Sequence, residues 1–173
     1  MRDTILHNAE LLRGLNARID AEFGVERMKS ARQQASAMFW REHDRLSFPG
    51  GLENGLRRLS AGETAVVEIA LQFLEVEPRF YRSGYIQQVL LQRLKHVTLS
   101  KEQHARLAAL IVRSLEHGMA RAFRGYARLA AKIHPPKLIA AVLASAKSPD
   151  AEVVRRAKQV LHVLRSNHID VKD

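Results

Sequence analysis

The chain has 173 residues with a formal net charge of +10 at pH 7, and 46% of its residues are apolar. A chain of this length can bury one continuous core, its apolar content excludes a disordered basic tail, and the absence of cysteine excludes disulfides, thiolate metal sites and thiol nucleophiles. The first residues lack the apolar run of a signal peptide and the longest apolar run, residues 138–144, is too short to span a membrane, so we expect a cytoplasmic protein with no membrane partner.

Helical periodicity runs along nearly the whole chain, whereas no stretch alternates apolar and polar residues as a strand does. We predict helices over residues 3–23 and 25–46, with Gly24 between them. The segment 48–51, Phe-Pro-Gly-Gly, ends this hairpin before a short helix over residues 52–59. Residues 1–60 are therefore predicted to form a helical cap on the segment that follows.

From residue 61 onward the predicted helices recur at a regular step. Capping signals mark their starts: Ser60 with Glu63, Ser100 with Gln103, and Ser148 followed by proline at the first helical position. Six apolar positions of the helix before Pro135 reappear 31 residues later in the last helix. They are positions 122, 123, 126, 129, 130 and 133, matched by 153, 154, 157, 160, 161 and 164. Such a step, built from two helices, is typical of a helical solenoid.

These patterns predict an all-α fold: an α-solenoid of about three helical hairpins preceded by the N-terminal helical hairpin. The three hairpins cover residues 61–97, 100–134 and 136–165. The whole chain is then a single all-helical domain, with residues 166–173 as a tail. An antiparallel bundle, which also produces amphipathic helices of similar length, is the alternative.

One segment carries a resemblance to a known repeat family. Asp150-Ala151-Glu152-Val153-Val154-Arg155-Arg156-Ala157, followed by Leu161, resembles the second helix of a HEAT repeat, whose pattern is Asp, then Val-Arg, then Ala, then Leu. The resemblance extends over about residues 61–165 and implies a solenoid whose second helices line a concave surface. The proline usual in the first helix of each repeat is missing, so armadillo-like hairpins stay an alternative.

The positive charge is concentrated in residues 79–165, which hold 17 Lys or Arg against 4 Asp or Glu. At about 100° per residue, two sets of basic side chains each fall within an arc of about 80° opposite the apolar positions of their helix. The first set is Arg121, Arg124, Arg128 and Lys132, and the second is Arg155, Lys158, His162 and Arg165. Both sets belong to second helices, so the resemblance implies adjacent basic rows on one concave face.

A charged helix face that is simply solvated is the plain alternative to a binding surface. Like charges four residues apart destabilise a helix, however, and few acidic residues lie nearby in the sequence to offset them. We therefore predict a non-enzymatic binding module whose basic face binds an acidic partner, either the phosphate backbone of DNA or RNA or an acidic protein. No hydrolase, Walker or dinucleotide-binding motif occurs and the histidines have no metal-site spacing, so we expect no cofactor and no metal.

Two other classes of protein remain open. HEAT-like DNA glycosylases of the alkylation-repair type have a similar charge layout, but they place Trp and Asp in the basic face. Here the single tryptophan is Trp40, outside the repeats, and no Asp lies between Asp44 and Asp150. The other class is a structural protein, a homo-oligomer assembled through the N-terminal helices.

The segment 80–85, Phe-Tyr-Arg-Ser-Gly-Tyr, mixes aromatic residues with arginine. Single-strand stacking platforms have this composition. A turn between helices that is packed by aromatic side chains has it too, and we favour the turn.

Overall fold

A computed structural model describes residues 1–21, 29–117 and 120–171, without the side chains of residues 29, 30, 120 and 121. Every regular element among these residues is an α-helix, which confirms the all-α prediction. None of the described helices is both long enough and apolar enough to cross a membrane.

The helix boundaries agree with the predicted ones to within a few residues. In chain order the helices are α1 (Arg2–Ala21), α2 (Lys29–Ser47), α3 (Leu52–Ser60), α4 (Thr64–Val76), α5 (Ser83–Leu94), α6 (Lys101–His117), α7 (Ala120–Ile133), α8 (Pro136–Ser145) and α9 (Ala151–Ser166). The predicted positions between residues 22 and 28, Gly24 among them, lie outside the described residues. The chain divides into two compact units, Met1–Ile86 and Gln87–Asp173, so α5 belongs partly to each.

The first unit is built on contacts of α1 with α2 and α4, and of α3 with the same two helices. Leu12, Phe39 and Leu46 are buried together in its core. Leu15, Ile19 and Phe80 are partly buried against them. The apolar stripe of α1 therefore packs on α2, as the sequence predicts for an N-terminal helical hairpin.

An aromatic cluster links α2 to the segment before α5. The ring of Tyr81 meets that of Phe39 edge-on at 5.8 Å and that of Trp40 at 6.0 Å, measured between ring centroids. Nε2 of the buried His43 donates a hydrogen bond to the Tyr81 carbonyl at 3.4 Å. Burial lowers the pKa of His43 below its ordinary value of 6.5. Phe80 and Tyr81 thus pack on aromatic side chains before α5, while the Tyr81 and Tyr85 rings stay about half exposed.

The second unit is held by contacts among its last four helices. α6 contacts α7, α8 and α9, and α9 also contacts α7 and α8. The six apolar positions predicted on α7 are all buried, and on α9 only Val154 among the matching six is half-exposed. The step of 31 residues therefore marks residues of the core in both helices.

The structure confirms one predicted cap. Ser100 and Gln103 form a reciprocal capping box, because Oε1 of Gln103 accepts from the Ser100 N–H at 2.9 Å and Oγ of Ser100 accepts from the Gln103 N–H at 3.2 Å. This cap fixes the start of α6.

Two other predicted caps were wrong. Ser60 is still helical and donates to the Leu56 carbonyl at 2.9 Å, while the carboxylate of Glu63 is held by Arg58 at 2.8 Å, so neither side chain caps α4. At α9 the capping residue is Asp150 rather than Ser148, because Oδ1 of Asp150 accepts from the N–H groups of residues 152 and 153. At α4 the predicted capping side chains hydrogen-bond to other groups close in sequence, and at α9 a side chain nearer to the helix accepts the N–H bonds instead.

Two helical glycines make a matched pair of stability tests. A β-carbon on Gly55 would overlap the fully buried ring of Phe48, approaching its Cε1 to 2.6 Å. We expect Gly55→Ala to lower the free energy of unfolding by about 1–3 kcal/mol, because such overlap outweighs the helix propensity of alanine. A β-carbon on Gly14 in α1 would meet nothing within 4 Å. Gly14→Ala should therefore raise the free energy of unfolding by about 0.5–1 kcal/mol.

Urea unfolding followed by circular dichroism measures both variants. Equal stability of Gly55→Ala and Gly14→Ala would show that Phe48 does not pack on α3 in this way.

Candidate functional site

A basic groove lies between α5 and α7 in the second unit, beside a very close contact of the two helices. A β-carbon on Gly125 would lie 2.9 Å from Cδ1 and 3.1 Å from Cβ of Leu91, so a larger residue here would require the Leu91 side chain to shift. The groove next to this contact has a volume of about 280 Å³. Its polar lining residues are Gln88, Gln92, Lys95, His96, Arg124 and Arg128. None of these described lining residues is a carboxylate, so the groove presents basic side chains and amides.

Arg124 and Arg128 are exposed and lie one helical turn apart on α7. Neither makes a hydrogen bond or an ion pair with another residue that the structure describes. Lys95 and His96, which follow α5, line the same groove. Positive charges placed this close repel one another, and a bound anion would relieve that repulsion.

The other two predicted members of the α7 row are placed differently. Nζ of Lys132 donates to the carbonyl of Leu94, the last residue of α5, at 3.4 Å and to the carbonyl of Val97, three residues beyond it, at 2.6 Å. The side chain is half-buried, and this burial lowers the pKa of Lys132 below 10.5. Lys132 thus satisfies helix-end carbonyls. Arg121 belongs to α7, but its side chain lies outside the described residues.

The predicted row on α9 is exposed along its whole length. Lys158 and His162 have no hydrogen bond or ion pair with another residue in the described ranges. Arg155 instead pairs with Glu152 at 2.7 Å, and the hydrogen bond lowers the pKa of that carboxyl group. Arg165 completes the row and is exposed as well.

Sequence reasoning missed the structural role of Arg156 on α9. Its Nη1 donates to the carbonyls of Leu115 and Glu116, both at 3.0 Å, and its side chain is only 17% exposed. It therefore satisfies the end of α6 as Lys132 satisfies the end of α5. The sequence signal for this partly buried position was its spacing on the helix, because Arg156 lies three residues after the buried Val153 and four before the buried Val160.

Among the described residues, no group of three or more His, Asp or Glu side chains could hold a metal ion. Trp40 lies in the aromatic cluster of the first unit. Neither a protein-family model, nor a curated protein, nor a solved structure matches the chain. The function must therefore be argued from the site itself.

The two neighbouring arginines of α9 should differ sharply in their effect on stability. We expect Arg156→Ala to lower the free energy of unfolding by about 1.5–3 kcal/mol, because it removes the donor from two carbonyls at the end of α6. Arg155→Ala removes only an exposed ion pair and should leave the free energy of unfolding almost unchanged. Chemical denaturation of both variants measures the difference, and equal effects would contradict the helix-end role of Arg156.

Proposed function

We propose that this chain is a non-enzymatic binding module of the α-solenoid type, and that its unpaired cations bind the phosphate backbone of a nucleic acid. The observation that carries this proposal is the groove beside Gly125. There Arg124 and Arg128 are exposed and unpaired within the described chain, and none of the described residues that line the groove is a carboxylate.

Helix contacts in the second unit support the solenoid part of the proposal. The first helices α6 and α8 contact each other, the second helices α7 and α9 contact each other, and α5 approaches α7 at Gly125. Successive helical hairpins stack in this way, first helix on first and second on second. The HEAT-like segment of α9 and the 31-residue step of the core favour the same architecture.

The pairing of arginines elsewhere argues against a merely solvated face. Arg58 binds Glu63 and Arg155 binds Glu152, each at 2.8 Å or less. Nothing comparable neutralises Arg124 or Arg128 within the described chain. The groove thus concentrates positive charge, which attracts a polyanion and accelerates its association.

Nucleic acid suits the chemistry of the groove better than an acidic protein does. Contacts to a phosphate backbone come from arginine, lysine and glutamine side chains, and these residue types line the groove. Arginine also binds phosphate with two parallel N–H donors. Contacts of this kind give affinity with weak sequence preference. The exposed cations of α9, Lys158 and Arg165 among them, would extend the contact along the strand.

The salt dependence of DNA binding tests the groove directly. In Arg124→Gln/Arg128→Gln the slope of log affinity against log salt should become shallower by about two units, because each lost phosphate contact removes about 0.9 from the slope. The matched control is Arg93→Gln/Lys147→Gln, which removes the same charge from two exposed side chains that do not line the groove. Fluorescence anisotropy of a labelled oligonucleotide over a salt series measures all three proteins.

Two results would contradict the nucleic-acid proposal. One is an equal change of slope in both double variants, which would show that the slope depends only on the net charge of the protein. The other is absence of binding to duplex and single-stranded DNA and to RNA at low salt. Binding of an acidic protein alone would then assign the groove to that kind of partner.

A second candidate function, homo-oligomerisation, rests on a separate groove in the first unit. Between α1 and α2 a groove of about 630 Å³ is lined by Leu11 and Met38, which are 42% and 40% exposed. Side chains of both signs, such as Glu10 and Arg45, line it too. A groove that has apolar side chains and charges of both signs can be complementary to the same groove of a second copy related by a two-fold axis. We therefore propose a second copy of the chain as its occupant.

Light scattering tests this assembly. The wild-type chain should be a dimer, and Leu11→Gln/Met38→Gln should shift it to a monomer. Leu6→Gln, at an exposed leucine of α1 outside the groove, should stay dimeric. A monomeric wild type at high concentration would rule the assembly out.

A further inference from the structure

The second unit holds another cavity, of about 700 Å³, which shares no lining residue with the basic groove. It lies between α6 and the start of α8, where Ile133 and the Pro135-Pro136 turn also line it. Pockets for small molecules have volumes of about 300–1,000 Å³ and combine an apolar lining with a few convergent polar groups. This cavity has both properties.

The wall that α6 contributes is apolar and made of small side chains. Ala105, Ala108, Ala109 and Val112 form one strip along the helix. This strip lies to one side of the buried core positions of α6, such as Leu107 and Ile111. Because three of the four side chains are alanine, space stays open beside the helix. The two prolines carry no N–H, and the Pro135 carbonyl already accepts a hydrogen bond from the backbone N–H of Leu138 at 2.8 Å.

The ionisable lining residues of the cavity are all basic. They are Lys101 and His104 on the first turn of α6 and Lys137 on the first turn of α8. Both lysines are exposed, and neither is paired with another residue in the described ranges. Nε2 of His104 is buried and makes no hydrogen bond within the described part of the chain. Since two helices begin here, their positive N-terminal ends add to the same field.

We propose that this cavity binds a fatty-acid-like monocarboxylate. Its carboxylate would lie among Lys101, His104 and Lys137, and its hydrocarbon chain would lie along the alanines of α6. The distance from Lys101 to Val112 along the helix axis is about 16 Å at 1.5 Å per residue, which is enough for an extended alkyl chain.

Charge complementarity favours this occupant over a polyanion or a partner helix. The basic residues of the cavity belong to the first turns of α6 and α8, while the lining residues further along α6 are apolar. One carboxylate with one apolar chain matches that separation. A nucleic-acid backbone or an acidic peptide would instead place charges along the apolar strip, where no cation meets them.

Calorimetric titration of the full-length chain with decanoate, below its micelle concentration, tests the proposal. Octanoate should bind about fifteenfold more weakly than decanoate, because two buried methylenes are lost. Lys101→Ala/Lys137→Ala should weaken decanoate at least tenfold and leave uncharged decanol unchanged. Ala109→Phe, at an exposed position of the cavity wall, should weaken both ligands at least tenfold.

Control variants distinguish decanoate binding in this cavity from binding in the basic groove and from an effect of net charge. Lys147→Ala removes an exposed lysine that does not line the cavity and should bind decanoate like the wild type. Arg124→Gln/Arg128→Gln should also bind decanoate normally, since this proposal does not depend on nucleic-acid binding. Absence of decanoate binding, or equal weakening in Lys147→Ala and the lysine double variant, would overturn the proposal. So would a wild-type dimer that Ala109→Phe converts to a monomer, because the occupant would then be a second copy.

Discussion

The close approach of α5 and α7 at Gly125 is the constraint on which the basic groove depends. The side chain of Leu91 lies against position 125 and would have to shift to admit a β-carbon there. On the same pair of helices Lys132 donates to the carbonyls of Leu94 and Val97, at and just beyond the end of α5, and Lys95 lines one groove with Arg124 and Arg128. A larger residue at this position would be expected to change the groove as well as the packing.

The basic residues of the second unit divide into two groups with different physical roles. Lys132 and Arg156 are half-buried; Lys132 donates to carbonyls at and just beyond the end of α5, and Arg156 to carbonyls of the last turn of α6. A helix end without such donors leaves polar groups unsatisfied, which is costly where water is excluded. Arg124, Arg128 and Lys158 are exposed and unpaired within the described chain. The net charge of the segment therefore overstates the charge that is free to interact, and the unpaired group defines the proposed binding surface better.

Local patterns in the sequence predicted the helices and their buried faces, because an amphipathic helix must bury its apolar stripe whatever it packs against. The six core positions of α7, Ala122 to Ile133, were identified in this way. Sequence could not show that Lys132 binds a carbonyl 35 residues earlier, or that Arg156 binds one 41 residues earlier. Such pairs depend on how helices pack, and periodicity within one helix contains no information on its neighbour. The cap assigned to Glu63 failed for a related reason, since Arg58 competes for the same carboxylate.

The most direct test of the proposed surface is lysine acetylation followed by mass spectrometry, with and without a bound oligonucleotide. The chain carries its own internal comparison, because Lys95 lines the groove and Lys158 lies in the α9 row, whereas Lys147 is exposed and belongs to neither. Nucleic acid should protect Lys95 and Lys158 from acetylation and leave Lys147 as reactive as in the free protein. Equal protection of all three lysines, or none at Lys95 and Lys158 under conditions where the oligonucleotide is bound, would contradict the assignment of the basic groove as the binding site.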